Sequence, residues 1–250
     1  MALPWETLAS VPTAEGALDL RRRGEKDFLI TIGGRILMSS AAHRSEDALA
    51  KLACAGLRSR RRARVLVSGL GMGFTLRAAL DELADDAEVT VAELTPAVVE
   101  WCEGPLATLT AAAARDPRVT VEIVDVAKRI AEVARDARAP RFDAIVLDMY
   151  QGPQHLVRAD EPLYGHVAVR RTKEALSPGG IFAIWCEGAS TGFELNLRGA
   201  GFDFRLERAG RGARIHYVYV ARNQAASAST SGSRAAPGRA PRSDSRSKKS

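Results

Sequence analysis

The chain has 250 residues, 46% hydrophobic and 26% charged, with a formal net charge of +6. That balance supports a buried core in one main domain and excludes a disordered or fibrous chain. No apolar run approaches the ~20 residues of a membrane span, and "MALPWETLAS" lacks the basic and apolar regions of a signal peptide, so the expectation is a cytoplasmic chain with no membrane partner.

At the N-terminal end, "GALDLRRRGEKDFLITIGGRILMSS" reads as strand, polar turn, strand, glycine turn, strand. "SEDALAKLACAGL" follows as a helix capped by Ser45. Residues 1–50 are therefore expected to form a small β appendage, whose strands offer an edge for pairing across a homodimer. The next segment, "RSRRRAR" from Arg58 to Arg64, is the densest charge cluster before the tail. It precedes the first strand of the main domain, which puts it at the amino end of that sheet and away from the ligand end.

Residues 51–222 carry the main pattern. Short apolar runs at Val65–Ser68, Val89–Glu93, Val119–Val124, Ala144–Asp148 and Ile181–Trp185 alternate with helical segments such as "FTLRAALDEL" and "VAVRRTKEAL". Strands alternating with helices predict a parallel sheet covered on both faces. "SPGG", Ser177–Gly180, reads as a helix stop and a turn into a strand. "FDFRLERAG" and "ARIHYVYVAR" then form a closing hairpin at the sheet edge. The fold class is α/β: a Rossmann-like, seven-stranded, mostly parallel sheet plus the N-terminal appendage. The three cysteines, Cys54, Cys102 and Cys186, have no metal-ligand spacing and read as buried reduced thiols.

Residues 223–250 have no Leu, Ile, Val, Phe, Trp or Tyr, so burial cannot offset their ordering entropy and a disordered tail is expected. Arg234, Arg239, Arg242, Arg246, Lys248 and Lys249 stand there against Asp244, which leaves about +1 for the rest. The positive charge is thus a property of the tail, a weak pointer to nucleic acid and none to what the folded part binds.

In an open parallel sheet the ligand lies beyond the carboxyl ends of the strands. There the first strand runs into "GLGMG", with Gly69, Gly71 and Gly73; the second ends in Glu93, the third leads to Asp125 and the fourth to Asp148. Gly69 and Gly71 match the start of a dinucleotide fingerprint, but Phe74 stands where the third glycine lets helix and strand pack beside a pyrophosphate. An adenosyl sulfonium has no pyrophosphate and fits better. The glycines admit it near sulfur, Glu93 accepts from both ribose hydroxyls, and Asp125 accepts from the adenine amino group. The plainer reading of Asp125 is a helix cap before "VAKRI".

The motifs "VLVSGLGMGFTLRAAL", "VTVAELTPAVVEW", "DPRVTVEIVDVAKRI", "FDAIVLDMYQGP" and "LSPGGIFAIW" resemble, in order, those of the spermidine synthase family of aminopropyltransferases. That family shares the Rossmann-like fold of class I methyltransferases, and the resemblance runs from about Leu18 to Val220. It implies that Glu93 binds ribose, Asp125 binds adenine, and Asp148 orients and deprotonates an attacking amine. An alkylamine with pKa near ~10.4 is about 3.4 units from its free base at pH 7, a cost of about 4.6 kcal/mol, so a positioned carboxylate has a task.

The chain also departs from the family pattern. An acid usual in the glycine turn is Met72 here, and a second acid usual three residues after Asp148 is Gln151. A carboxylate–ammonium contact at ~4 Å is worth about 4 kcal/mol before desolvation at an effective dielectric near 20, so both losses weaken polyamine binding. Where the family lines its pocket with a glutamine and a tyrosine, this chain has Leu37 and Glu46, with His43 nearby. Tyr150, Gln151 and His155 follow Asp148 closely enough to line the substrate side of the cleft. Three functions follow: aminopropyl transfer from a decarboxylated S-adenosylmethionine to a small amine, methyl transfer from S-adenosylmethionine, or a non-catalytic nucleoside-binding module. None of them calls for a metal.

Overall fold

A computed structural model describes residues 3–154, 157–209 and 215–224. Its first sheet is an antiparallel meander of β1 (Glu6–Thr13), β2 (Gly16–Arg23), β3 (Asp27–Ile32) and β4 (Arg35–Ser39). Ile32 pairs with Arg35 across Gly33 and Gly34, at φ 52° and 80°, the two-residue turn that glycine permits. Leu18, Leu20, Phe28, Ile30 and Ile32 recur with period two and are buried, so one face of this sheet joins the main core. The sequence reading missed β1. "ETLASVPT" has little apolar alternation, is mostly exposed, and includes a proline that an edge strand tolerates.

Helix α1 (Arg44–Cys54) crosses the boundary placed at residue 50. It packs on α2 (Phe74–Glu82) and on the main sheet, burying Leu49, Ala50, Ala53 and Cys54. The cap expected at Ser45 is a correction. Helix α1 begins at Arg44, two residues before the start that a Ser45 cap implies, and the Ser45 hydroxyl donates to Glu46 Oε2 at 2.6 Å. His43 occupies the cap position without capping, because its ring is drawn to the Asp47 carboxylate at 3.0 Å and stacks on Phe74.

The main sheet contains β5 (Arg64–Ser68), β6 (Glu88–Glu93), β7 (Val119–Ile123), β8 (Phe142–Leu147), β9 (Leu176–Cys186), β10 (Phe202–Ala209) and β11 (His216–Asn223), in the order β10-β11-β9-β8-β5-β6-β7. The pairs from β7 through β9 are parallel, and β11 runs antiparallel between β9 and β10. The remaining helices are α3 (Pro96–Glu103), α4 (Val126–Arg135), α5 (His166–Ala175) and α6 (Thr191–Gly199).

Alternation along each central strand decides which helices cover which face. Val65, Val67, Val89, Val91, Ala144 and Val146 pack with α1, α2 and α3, whereas Leu66, Ala92, Ile145, Leu147, Phe182 and Ile184 pack with α4, α5 and α6. Val65, Leu66 and Val67 are fully buried, each worth about 1.5–3 kcal/mol by transfer, so β5 is an anchor of both layers.

"SPGG" does stop α5 at Ala175, but β9 already begins at Leu176, with Gly179 at φ 79° and a register shift opposite Phe142 and Ala144. Asn223, assigned from sequence to the tail, is instead the last residue of β11. It is 7% exposed, and its side-chain amide donates to the carbonyls of Lys173, Leu176 and Ser177. The rest of the expected tail, from residue 225, lies outside the described residues. Cys54, Cys102 and Cys186 are buried and free, and burial pushes the Cys54 and Cys102 thiols up to about 12. Among the described residues, no helix is long and apolar enough to cross a membrane.

The arginine run sits at the amino end of β5 and is met by the chain's own acids. Arg60 pairs with Asp143 at 2.8 Å, Arg62 with Glu88 at 2.6 Å, and Arg64 also with Glu88. Arg61 reaches Asp86 at 3.7 Å. A cleft of about 390 Å³ at this end, lined by Arg58, Arg60, Arg61, Asp85 and Asp86, lies on the far side of the sheet from the strand carboxyl ends.

Candidate active site

The chain leaves β5 for β6 and β7 on one side, then returns to β8 on the other, so the order reverses between β5 and β8. Such a reversal opens a crevice beyond the strand ends. Gly69 and Asp148 face each other across it: a Cβ on Gly69 would stand 3.6 Å from the Asp148 carbonyl oxygen.

Gly69, Gly71 and Gly73 have φ of 69°, 52° and 84°, a left-handed geometry that costs an L-residue about 1–2 kcal/mol. Leu70 and Met72 alternate with them and point into the core, 4% and 0% exposed. Met72 is therefore a core side chain. Its amide donates to Met38 Sδ at 3.2 Å, and a Cβ on Gly71 would meet the same sulfur at 3.0 Å. Strand β4 of the small sheet thus closes directly over the glycine turn. Phe74 opens α2 and stacks on His43, with ring centroids 4.3 Å apart and planes 16° off parallel, filling the seam between α1 and α2.

Glu93 is 8% exposed at the end of β6. One carboxylate oxygen accepts from Leu70 N at 2.7 Å and the other from Thr95 N at 2.8 Å. An ionised carboxylate offers about four lone-pair sites, so these two amides leave capacity for two hydroxyl donors. Asp125 is the cap of α4: its Oδ1 accepts from Ala127 N at 2.7 Å and Lys128 N at 3.2 Å. Both readings of Asp125 are compatible, because Oδ2 has no hydrogen bond among the described residues.

Asp148 follows β8 directly. Its amide donates to Ser68 Oγ at 3.0 Å, and its Oδ2 accepts from the Thr75 hydroxyl on the first turn of α2. Burial first, and then the charge of Glu46, pushes its carboxyl up from 3.8 to about 7, with the Thr75 bond opposing the rise. Ser68, Thr75 and Met38 carried no sequence signal, since each acts on a partner 34 to 80 residues away.

Of the three residues expected on the substrate side, the structure describes Tyr150 and Gln151. Tyr150 is 48% exposed, and its hydroxyl accepts from Arg35 at 3.2 Å, with the Arg35 guanidinium 5.6 Å over its ring. The Gln151 side chain is exposed, and its carbonyl accepts from the Tyr164 hydroxyl at 3.0 Å. His155 lies outside the described residues. A cleft of about 260 Å³ opens beside this loop, between Gly152–Gln154 and Glu187–Ala189, at the same end of the sheet as Asp148. Among the described residues, no group of three or more His, Cys, Asp or Glu side chains could hold a metal ion.

No protein-family model matches the chain, and no curated protein matches it in sequence. Solved structures do match. Spermidine synthase in complex with the transition-state analogue AdoDATO superposes with a TM-score of 0.66 at 18% identity, covering 87% of this chain and 72% of that one. Spermidine synthase from Thermotoga maritima gives 0.67 at the same identity and coverage. The chain has the spermidine synthase fold. At 18% identity the likeness concerns architecture: the seven-stranded, mostly parallel sheet with its small N-terminal antiparallel sheet. The α/β class expected from the strand and turn pattern, with its small N-terminal β appendage, agrees with that fold.

Proposed function

We propose that this chain is a transferase that binds an S-adenosyl-type sulfonium at the glycine turn and uses Asp148 to deprotonate a small amine acceptor. The observation that carries the reading is the position of Asp148. It stands at the reversal point of the sheet, beside Gly69, tethered through Thr75 and Ser68 to the two elements that bracket the turn. Its carboxyl, at about 7, is matched to taking a proton near neutral pH. Glu93 and Asp125 retain acceptor capacity for ribose and adenine, and an analogue-bound neighbour of the same fold supports a ligand of this type.

The step is an in-line displacement. The amine lone pair forms a bond to the carbon next to sulfur, the carbon–sulfur bond breaks, and its electrons leave a neutral thioether. The nitrogen proton passes to Asp148. Alignment of the three atoms and a general base each contribute, the base typically ~10²- to 10⁴-fold.

Aminopropyl transfer is the leading form, on the resemblance of motifs and fold together. Methyl transfer is the second form: with Met72 buried in the core the turn offers no acid to offset the extra net positive charge of a decarboxylated donor, which lacks the carboxylate of S-adenosylmethionine. Calorimetry with S-adenosylmethionine and with its decarboxylated form separates the two. A marked preference for the carboxylated ligand ends the aminopropyl reading, and turnover assays with each donor name the group that moves.

A further inference from the structure

Strand β4 touches both lips of the crevice between β5 and β8. Near one end, Met38 Sδ accepts from the Met72 amide of the glycine turn at 3.2 Å. At the other, Arg35 Nη1 donates to the hydroxyl of Tyr150, two residues past Asp148, at 3.2 Å, with the guanidinium 5.6 Å over the ring. At ~3.3 Å per residue the Arg35 and Met38 Cα atoms are at most about 10 Å apart, so one short strand bridges the opening.

A spacing of three ordinarily puts two side chains on opposite faces of a strand. The pairing shows why these two share a face. Ile30 pairs with Met38 and Ile32 with Arg35, with a register shift between Ile30 and Thr31 that leaves Leu37 as the extra residue of a bulge. Ile30 and Ile32 are both buried toward the main core, so the bulge turns Arg35 to the inner face and leaves Ile36, 60% exposed, on the outer one. The hairpin tips hold Arg35 there. Gly33 N donates to Ala17 O at 2.9 Å, and a Cβ on Gly16 would stand 2.9 Å from Gly33 Cα, so the two tips interlock with no room for side chains. The same interlock brings Glu15 to Arg35 at 3.4 Å, with both side chains more than half exposed, a weak pair that a ligand carboxylate can displace.

We propose that Arg35 selects the acceptor: it binds a carboxylate carried by the amine, which makes the acceptor class a small amino acid rather than a diamine. The assignment rests on the reading of Asp148 as the acceptor-side base. Met72 is buried in the core and Gln151 is neutral, so neither supplies a counter-charge to a second ammonium. The charge bonded to the loop after Asp148 is a guanidinium, whose forked N–H donors match a carboxylate. Tyr150 orients it with one bond and leaves further N–H groups for a ligand, and Glu15 competes for those same donors from within the chain. Arg35 acts at the remote end of the acceptor, and no bond to the reacting atoms is assigned to it.

The test uses the full chain and probes of matched length: 4-aminobutanoate, its neutral amide 4-aminobutanamide, and 1,4-diaminobutane, with 3-aminopropanoate and 5-aminopentanoate bracketing the length. Each is titrated by calorimetry at about pH 7.5, where carboxylates are ionised and alkylamines protonated, without and with saturating 5′-methylthioadenosine. Wild type binds at least one of the amino acids more tightly than the amide and the diamine. In Arg35→Gln that affinity falls about fivefold or more, while affinity for the amide changes less than about twofold. Arg35→Lys recovers part of the loss. Glu15→Gln raises amino-acid affinity about two- to threefold by freeing the guanidinium, a gain that a purely structural ion pair would not give. Wild type that binds none of the amino acids or prefers the diamine overturns the assignment, as does equal loss for all probes in Arg35→Gln. A loss confined to S-adenosylmethionine against its decarboxylated form places the carboxylate on the donor and overturns it too. The transferase reading fails separately: wild type that binds the amino acid through Arg35 but no 5′-methylthioadenosine keeps the selectivity of Arg35 and loses that reading.

Discussion

Glu93 accepts the amide proton of Leu70 at 2.7 Å, so the end of β6 and the glycine turn after β5 are a single unit. The second oxygen does the same for Thr95 N at 2.8 Å, at the start of the segment leading into α3. In Glu93→Gln the side-chain amide must turn one N–H toward a backbone N–H. A buried donor left unpaired costs about 1–3 kcal/mol. Urea denaturation of Glu93→Gln is expected to show a loss of that size with an unchanged m-value. A stability equal to wild type contradicts the anchoring role.

Asp125→Asn separates capping from ligand binding. Asn caps as well as Asp, so Oδ1 continues to accept from Ala127 N and Lys128 N and stability changes by no more than about 0.5 kcal/mol. The atom replacing Oδ2 becomes a donor, which repels an adenine amino group. Adenosyl-ligand affinity is expected to fall by about tenfold or more at unchanged stability, read by calorimetry beside thermal unfolding.

Asp148 gives a pH signature of definite sign. Its folded carboxyl sits at about 7 against an ordinary 3.8, so the native state binds the proton more tightly than the unfolded chain. Its contribution to stability is fully present below about pH 4 and is lost as pH rises through about 7. The stability advantage of Asp148→Asn over wild type should therefore grow across that window and level off above it. Turnover, which needs the carboxylate, should rise with pH along a limb centred near 7 in wild type. In Asp148→Asn it should drop about 10²- to 10⁴-fold while nucleoside binding persists.

Gly71→Ala places a Cβ at φ 52° and 3.0 Å from Met38 Sδ. The backbone cost is about 1–2 kcal/mol, and the contact with sulfur adds to it because Met38 is held against the turn. Met38→Ala removes the contact and leaves the backbone term. The double variant is expected to be more stable than the sum of the two single losses by denaturant titration. Strict additivity contradicts the packing of β4 on the turn.

The main sheet was legible because its central strands, such as β5 and β8, are short apolar runs buried on both faces, the pattern parallel strands impose. The carboxylates at the strand ends were legible for the same reason: each follows a run whose end is visible. Strand β1 was hidden by its polar, exposed composition, and the expected Ser45 cap lies two residues past the observed cap position, where His43 is held by Asp47 and Phe74, neither a capping interaction. Thr75 and Ser68 carry no local signature. Their importance arises only when α2, β5 and β8 converge, and no spacing along the chain encodes that meeting.

The most direct measurement is calorimetric titration of S-adenosylmethionine and its decarboxylated form into wild-type chain and into Glu93→Gln. The account predicts saturable one-site binding of at least one of the two by wild type, weakened about tenfold or more by the substitution. Absence of saturable binding of both ligands to wild type, or binding that Glu93→Gln leaves unchanged, contradicts an adenosyl site at the carboxyl end of this sheet.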